Sequence, residues 1–209
     1  MDIIISTHNK DKLKELLSAF QALSGTINFK TLADFPDIED IEETGSTLEE
    51  NALIKARTVQ SITGLPVISD DTGLEVDALD GAPGVYTARY AGENCSYRDN
   101  VDKLLDAMTK VPIPNRTAKF KTVMAYVNND VELTVEGCAD GIISRSANGE
   151  NGFGYDPIFY IPEAGKTFAQ MEMQEKEIYS HRGKAIRGMF KLLKQHLDDL
   201  NKQSTKEMA

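Results

Sequence analysis

Two adjacent carboxylates, Asp70 and Asp71, follow the short run Val67-Ile68-Ser69, with Thr72 and Gly73 next. Neighbouring side chains of a strand face opposite ways, but at a strand end a glycine relaxes that geometry and lets backbone approach a ligand. Like charges beside an apolar run are costly unless a cation or hydrogen-bond donors satisfy them. The pair therefore fits either a solvated turn closed by an Asx hydrogen bond or one wall of a cation site. Glu42 and Glu43, just ahead of a helix start, are a second acidic pair able to point into the same cleft.

Cations lie on segments remote from these acids. Lys10 and Lys12 fall in the first turn of a helix expected after Thr7-His8-Asn9. A strand, a short polar loop and a helix start offer a phosphate free amides and the positive end of a dipole; a lysine there also suits a plain solvated face. Lys55 and Arg57 sit about two turns into the helix after Glu43, on different faces, so that one of them can reach the cleft. Lys176, His181 and Arg182 gather around the start of the last helix, where such donors invite an anion or a carbonyl-rich ligand. Gly152-Phe153-Gly154 is a poor strand interior but allows close approach to a flat ligand, with Phe153 or Tyr155 either stacking on it or filling the core. Paired carboxylates with scattered cations match Mg²⁺-assisted chemistry on a polyphosphate, because Mg²⁺ takes one or two carboxylates, waters and phosphate oxygens. These residue types do not specify the nucleotide.

The elements that must hold these groups alternate in type. Ile3–Ser6 reads as a buried strand, Leu13, Leu16, Leu17, Phe20 and Leu23 recur at helical spacing, and residues 26–32, beginning at Thr26, fit a second strand. Ser46 with Glu49, or Thr47 with Glu50, makes a capping box, and Ser96 with Asp99 caps a third helix. Residues 118–127 and 131–143 form two long strands joined near Asn128-Asn129-Asp130. Ser180 caps a last helix with an apolar stripe of Ala185, Met189, Leu192, Leu193, Leu197 and Leu200.

Composition narrows the setting. A chain of 209 residues with 41% hydrophobic content is expected to form one α/β domain over residues 1–200, followed by a polar tail at 201–209. No apolar run is long enough to span a bilayer, and Ile3–Ile5 lack the basic flank of a signal peptide, so no membrane partner is expected. Cys95 and Cys138 have no partner motif, which suits a reducing cytoplasm. A net charge of −10 argues against nucleic acid as a partner, since such affinity comes from Lys and Arg neutralising phosphates. A small anion would then need a local cationic pocket or a metal ion.

Five motifs go further: STHNKDK at 6–12, EETGSTLEENALIKAR at 42–57, SDDTGLEVDALDGAPGVYTARYAG at 69–92, NGFGYDPIF at 151–159 and SHRGKA at 180–185. In their order and spacing the chain resembles the inosine triphosphate pyrophosphatase, or Ham1-like, family over nearly its whole length. His8 stands where many members have a small residue such as Gly, which bears on the shape of the phosphate loop, and Thr72 replaces a common Ser but keeps the hydroxyl.

The resemblance implies a mixed, elongated central sheet flanked by helices, in two lobes with an active-site cleft between them. It implies hydrolysis of ITP, dITP and XTP between the α- and β-phosphates, Mg²⁺ as cofactor, a role in clearing deaminated purines, and a homodimer. Thr7, Asn9 and Lys12 would hold the triphosphate within the loop that includes His8, Lys10 and Asp11, with Lys55 assisting. Glu42 and Asp71 would ligate Mg²⁺, with Glu43 and Asp70 able to swap or share that role. Asp71 would be the proton acceptor orienting the attacking water, and Thr72 would add a nucleotide contact. Phe153 would stack on the base, Gly154, Tyr155 and Asp156 would complete the pocket wall, and Lys176, His181 and Arg182 would read the 6-oxo edge. Donors without lone pairs suit a 6-oxo group, whereas adenine would leave them unpaired at about 1–3 kcal/mol each. Guanine shares the 6-oxo group, so its rejection needs another feature. The rival readings are a pyrimidine-directed pyrophosphatase of the Maf type, which the SHRGKA and Phe153–Asp156 segments oppose, and a nucleotide-sensing module without turnover.

Overall fold

The computed structural model describes residues 2–23 and 27–207. Thr26, and the side chains of Leu23, Leu197 and Leu200 that the sequence places in apolar stripes, lie outside the described residues. The elements run β1 (Asp2–Ser6), α1 (Lys10–Leu23), β2 (Asn28–Thr31), α2 (Leu48–Thr63), β3 (Val67–Val76), β4 (Pro83–Gly84), α3 (Tyr97–Ala107), β5 (Thr117–Val127), β6 (Glu132–Ile143), β7 (Phe159–Ile161), β8 (Lys166–Thr167), α4 (Met173–Tyr179) and α5 (His181–Glu207). The strands form one mixed sheet in the order β2-β1-β3-β5-β6-β7-β8, with β4 added on β3. β1 is parallel to β2 and β3, and the remaining pairings are antiparallel. Helix α5 continues to Glu207, past the point at which the sequence reading starts a polar tail.

Period-two alternation builds two of the three cores. Ile3, Ile5, Ile68, Met124 and Tyr126 pack on Leu16 and Phe20 of α1 and on Ala185, Met189 and Leu193 of α5. Ile4, Val67, Val123, Ala125 and Val127 face the other way, onto Ala52, Ala56 and Val59 of α2. A third core, at the far end of the long strands, joins Leu74, Val76, Phe120, Ile143, Phe159 and Phe168 to Val101 and Leu104 of α3 and to Met108 just after it. Each fully buried Val, Leu, Ile, Phe or Met among these contributes about 1.5–3 kcal/mol by its removal from water.

Capping fixes where the helices begin. Of the two boxes open to α2, Thr47 with Glu50 forms: Thr47 Oγ1 accepts from Glu50 N (3.1 Å) and Glu50 Oε2 from Thr47 N (3.2 Å). Ser96 and Asp99 make the same reciprocal cap on α3.

One expectation is corrected. The strand does not end at the aspartates; β3 runs on to Val76, and Asp70 and Asp71 pair with Met124 and Val123 of β5. Backbone pairing on this side carries the strand past both charges, so their side chains keep to opposite faces. Gly73 relaxes nothing at a terminus but admits β4: a Cβ there would lie 2.9 Å from the Gly84 carbonyl oxygen.

Candidate active site

A cleft of about 280 Å³ opens between the near cores and the far one. One wall is the turn from β1 into α1. Asn9 Oδ1 accepts from the amides of Asp11 and Lys12 (both 3.0 Å), while Thr7 Oγ1 accepts from Asn9 N (3.2 Å). This cap presents Thr7, His8, Asn9 and Lys12 to the cleft. Lys10 and Asp11 are exposed and outside its lining, because each helical step of about 100° carries them onto other faces of α1. His8 lies beside Asp40, with Nε2 3.5 Å from Oδ1.

The floor is β3. Asp71 lines the cleft on the α2 side; its Oδ1 is 3.3 Å from Lys55 Nζ, and its Oδ2 accepts from Asn51 Nδ2 (3.3 Å). Asp70 is buried on the α1/α5 side, 3.4 Å from both Lys12 Nζ and Arg182 Nη2, with Thr72 Oγ1 donating to it at 3.2 Å. Burial opposes ionisation of both acids. At Asp70 the Lys12 and Arg182 charges outweigh burial and hold the carboxyl far below its usual range, whereas at Asp71 burial prevails and pushes it up. Asp70 Oδ1 has no hydrogen-bond partner.

Of the second acidic pair, Glu43 lines the cleft and accepts from Lys55 Nζ at 2.5 Å. Glu42, expected as the metal ligand, is exposed and absent from the lining, since alternate residues of this extended segment face out. Lys55 is likewise the cation that reaches in; burial lowers its proton affinity, but Asp71 and Glu43 more than restore it. Arg57 instead pairs outside with Glu132 (2.6 and 2.8 Å). Among the described residues no three acidic, histidine or cysteine side chains converge on one point. Glu43 and Asp71, however, converge on a single ammonium. Two carboxylates facing an open cleft are the donor set Mg²⁺ uses with waters and phosphate oxygens, so they fit that ion.

The opposite end holds the aromatics. Phe153 lies at the cleft with Lys176 Nζ 5.0 Å and the Arg182 guanidinium carbon 5.6 Å from its ring centre. Tyr155 is largely core but also lines the cleft: its ring meets Phe120 edge-on at 6.4 Å and its hydroxyl donates to the Thr87 carbonyl (3.1 Å). Asp156 Oδ2 accepts from Phe153 N (2.8 Å) and Lys176 Nζ (2.6 Å), and Gly154 completes the lining. Gly152 is required here, since it sits at φ +73° and a Cβ would strike Asp156. His181 is buried, stacked on Phe120 at 4.4 Å and 12°. Burial, with Arg182 and Lys176 nearby, holds its pKa well below the ordinary histidine value.

Thr72, Lys176, His181 and Arg182 thus meet Phe153, Lys12 and Asp71 around one cleft. Three other participants carried no sequence signal. Glu15 binds Lys176 and Arg182, each at 2.6 Å, and its place on α1 looks like any helical acid. Asn51 supports Asp71 and accepts from Gly45 N (2.8 Å). Tyr97, the first residue of α3, reaches across the mouth. The segment Gly81–Arg89 also gains a place: Val85, Thr87 and Ala88 line the cleft, and Thr87 Oγ1 accepts from Leu74 N (2.7 Å) while donating to the Gly84 carbonyl (2.6 Å).

Comparison with known proteins gives a consistent picture. A family model described as the Ham1 family matches residues 3–192. A dITP/XTP pyrophosphatase of Thermoanaerobacter sp. (strain X514) is 48% identical over 186 residues, 89% of this chain and 93% of the relative. The solved Staphylococcus aureus Ham1 protein superposes with a TM-score of 0.83 at 39% identity, covering 94% of this chain and all of the other. A HAM1 protein from Coxiella burnetii does so at 0.84 and 40%, covering 93% and 99%. No helix among the described residues is long and apolar enough to cross a membrane.

Proposed function

The chain belongs to the Ham1 family, and from that premise we propose that it is a nucleoside triphosphate pyrophosphatase that splits ITP, dITP and XTP into a nucleoside monophosphate and pyrophosphate. One observation carries the proposal: the cleft has two ends of different chemistry. A helix N-terminus with Lys12 and Lys55 against Asp71 suits a triphosphate, and a phenyl ring beside Lys176 and Arg182 suits a flat oxopurine.

Thr7, Asn9 and the first amides of α1 bind the phosphates, and Lys12 and Lys55 offset their charge. Asp71, which faces the cleft from β3, accepts a proton from the attacking water. Water oxygen bonds to the α-phosphorus while the bond to the bridging oxygen breaks, and pyrophosphate leaves with that electron pair. Glu43 and Asp71 would hold Mg²⁺, which when bound neutralises phosphate charge and orients the triphosphate. At the base end, two of the three Lys176 donors are engaged by Glu15 and Asp156, which leaves one for the purine 6-oxo group. Arg182 is more fully spent on Glu15, Asp70 and Thr72. Neutral His181 contributes one N–H and one lone pair. We infer from family membership a cytoplasmic homodimer, which sedimentation of the purified chain would check.

The deciding assay is pyrophosphate release from ITP, dITP, XTP, GTP, ATP and dUTP with and without Mg²⁺. Release confined to the first three and dependent on Mg²⁺ supports the proposal. Preference for dUTP would point to a pyrimidine enzyme, and no release from any triphosphate would leave a binding module.

A further inference from the structure

We propose that Tyr97 is a nucleotide-contact residue that covers the sugar, a role that rests on the functional reading above. Its hydroxyl accepts from Asn9 Nδ2 at 3.1 Å and donates to Asp11 Oδ2 at 3.2 Å, on the turn that caps α1. Its ring lies 5.8 Å from that of Phe153, tilted by 41°. One side chain thus touches both the loop assigned to phosphate and the ring assigned to the base. The sugar of a bound nucleoside triphosphate must lie between those two ends.

The chemistry of a tyrosine matches that position. A sugar presents an apolar ring face with hydroxyls at its edge, and a phenol offers an apolar body with a polar tip. The Tyr97 ring is large, and at 43% exposed it is one of the more open aromatic side chains described, although it lines the cleft. Its backbone is held firmly for so open a residue. The Ser96–Asp99 cap fixes the start of α3, and Asn100 ties the same turn to the far wall through the Ala91 amide (2.7 Å) and the Ala88 carbonyl (3.0 Å). A rigid mount, with the hydroxyl already held and part of the ring open, is the arrangement of a contact residue, because little conformational entropy remains to be lost on binding. Asp11, which lies outside the lining, joins the site through this hydroxyl.

The test compares Tyr97→Phe and Tyr97→Ala with the wild type, using ITP turnover and the binding of inorganic tripolyphosphate, which has no sugar or base. The Tyr97 oxygen keeps a second lone pair for a sugar hydroxyl, so the proposal predicts that KM for ITP rises about 2–5-fold in Tyr97→Phe and about tenfold or more in Tyr97→Ala, magnitudes expected for loss of that one hydrogen bond and of an aromatic contact. It predicts kcat within about twofold of wild type, since uniform binding is removed, and unchanged Kd for tripolyphosphate. Parallel loss of tripolyphosphate affinity would overturn it by showing that Tyr97 acts through Asn9 on the phosphate loop. Unchanged KM in both variants, or a lowered kcat at constant KM, would overturn it as well. Wild-type turnover of ITP in the same experiment separates this failure from failure of the functional reading itself.

Discussion

Asp70 and Asp71 are adjacent in sequence, but the sheet lies between their carboxylates: Asp70 is held by Lys12 and Arg182 on the α1/α5 side, and Asp71 by Lys55 and Asn51 on the α2 side. Strand alternation alone gives two like charges separate sets of partners. It also divides their tasks, since only Asp71 faces the cleft.

Replacing Asp71 by Asn should therefore remove the proton acceptor and leave the cationic walls in place. Pyrophosphate release from ITP is expected to fall by about 10²–10⁴-fold, the usual worth of a positioned general base. Binding of a non-hydrolysable ITP analogue should stay within a few-fold of wild type. Turnover near the wild-type rate would take Asp71 out of the chemistry.

The same pair makes opposite predictions for stability. Asp70→Asn takes from Lys12 its carboxylate partner and leaves Arg182 with Glu15 alone; breaking a buried pair costs about 3–5 kcal/mol, so Tm should drop by several degrees. Burial opposes the charge of Asp71, and Lys55 keeps Glu43 when that charge is removed. Asp71→Asn should thus leave Tm unchanged or raise it, as scanning calorimetry without metal can check. An equal drop in both variants would contradict the division of partners.

Much of this arrangement was legible in the sequence because it is local. The Thr47–Glu50 and Ser96–Asp99 caps, the β5–β6 hairpin and the turn at Thr7–Asn9 are each set by residues within a few positions of one another. Family motifs then supplied the nucleotide, which charge and spacing could not. What stayed hidden is long-range pairing. Glu15 meets Lys176 and Arg182 across more than 160 residues of chain, and Tyr97 meets Asn9 across 88. Which of Glu42 and Glu43 faces the cleft depends on the phase of an extended segment with no strand partner to set it.

His181 should give stability a distinct pH dependence. Burial depresses its folded pKa, so below the ordinary value near 6.5 the unfolded chain binds one more proton than the folded one. Stability contributed by neutral His181 is then complete above that value and declines as pH falls, by about 1.4 kcal/mol per unit for one proton, until the folded pKa is reached. His181→Phe keeps a ring against Phe120 and removes the titration. The Tm difference between wild type and variant should shift in favour of the variant from pH 7 to pH 5, and a constant difference would count against a neutral, buried imidazole.

Arg116 is buried without a carboxylate; it donates instead to the carbonyls of Met108 (2.6 Å), Ile143 (2.6 Å) and Ser144 (2.8 Å). It ties the end of α3 to the end of β6, and hence the mount of Tyr97 to the loop that leads to Phe153. Arg116→Met fills the space but removes the donors to the Ile143 and Ser144 carbonyls, at about 1–3 kcal/mol each, while the Met108 carbonyl keeps the Val111 amide (3.0 Å). Tm should fall by roughly 4–24 °C, taking about 2–4 °C per kcal/mol for a chain of this size. A change below about 2 °C would mean that water replaces the guanidinium.

The final prediction separates the two cations at the base end. Lys176 touches Glu15, Asp156 and the Phe153 ring, none of which contacts the phosphate loop directly. Arg182 is joined to Lys12 through Asp70, so its loss reaches the phosphate end too. Lys176→Ala should lower kcat/KM for ITP by about 10–100-fold, the worth of a hydrogen bond from a charged donor, while tripolyphosphate binds as before. Arg182→Ala should weaken both ligands, because Lys12 is then drawn toward an Asp70 that it no longer shares. Equal losses of ITP and tripolyphosphate in Lys176→Ala would move Lys176 from base recognition to the phosphates.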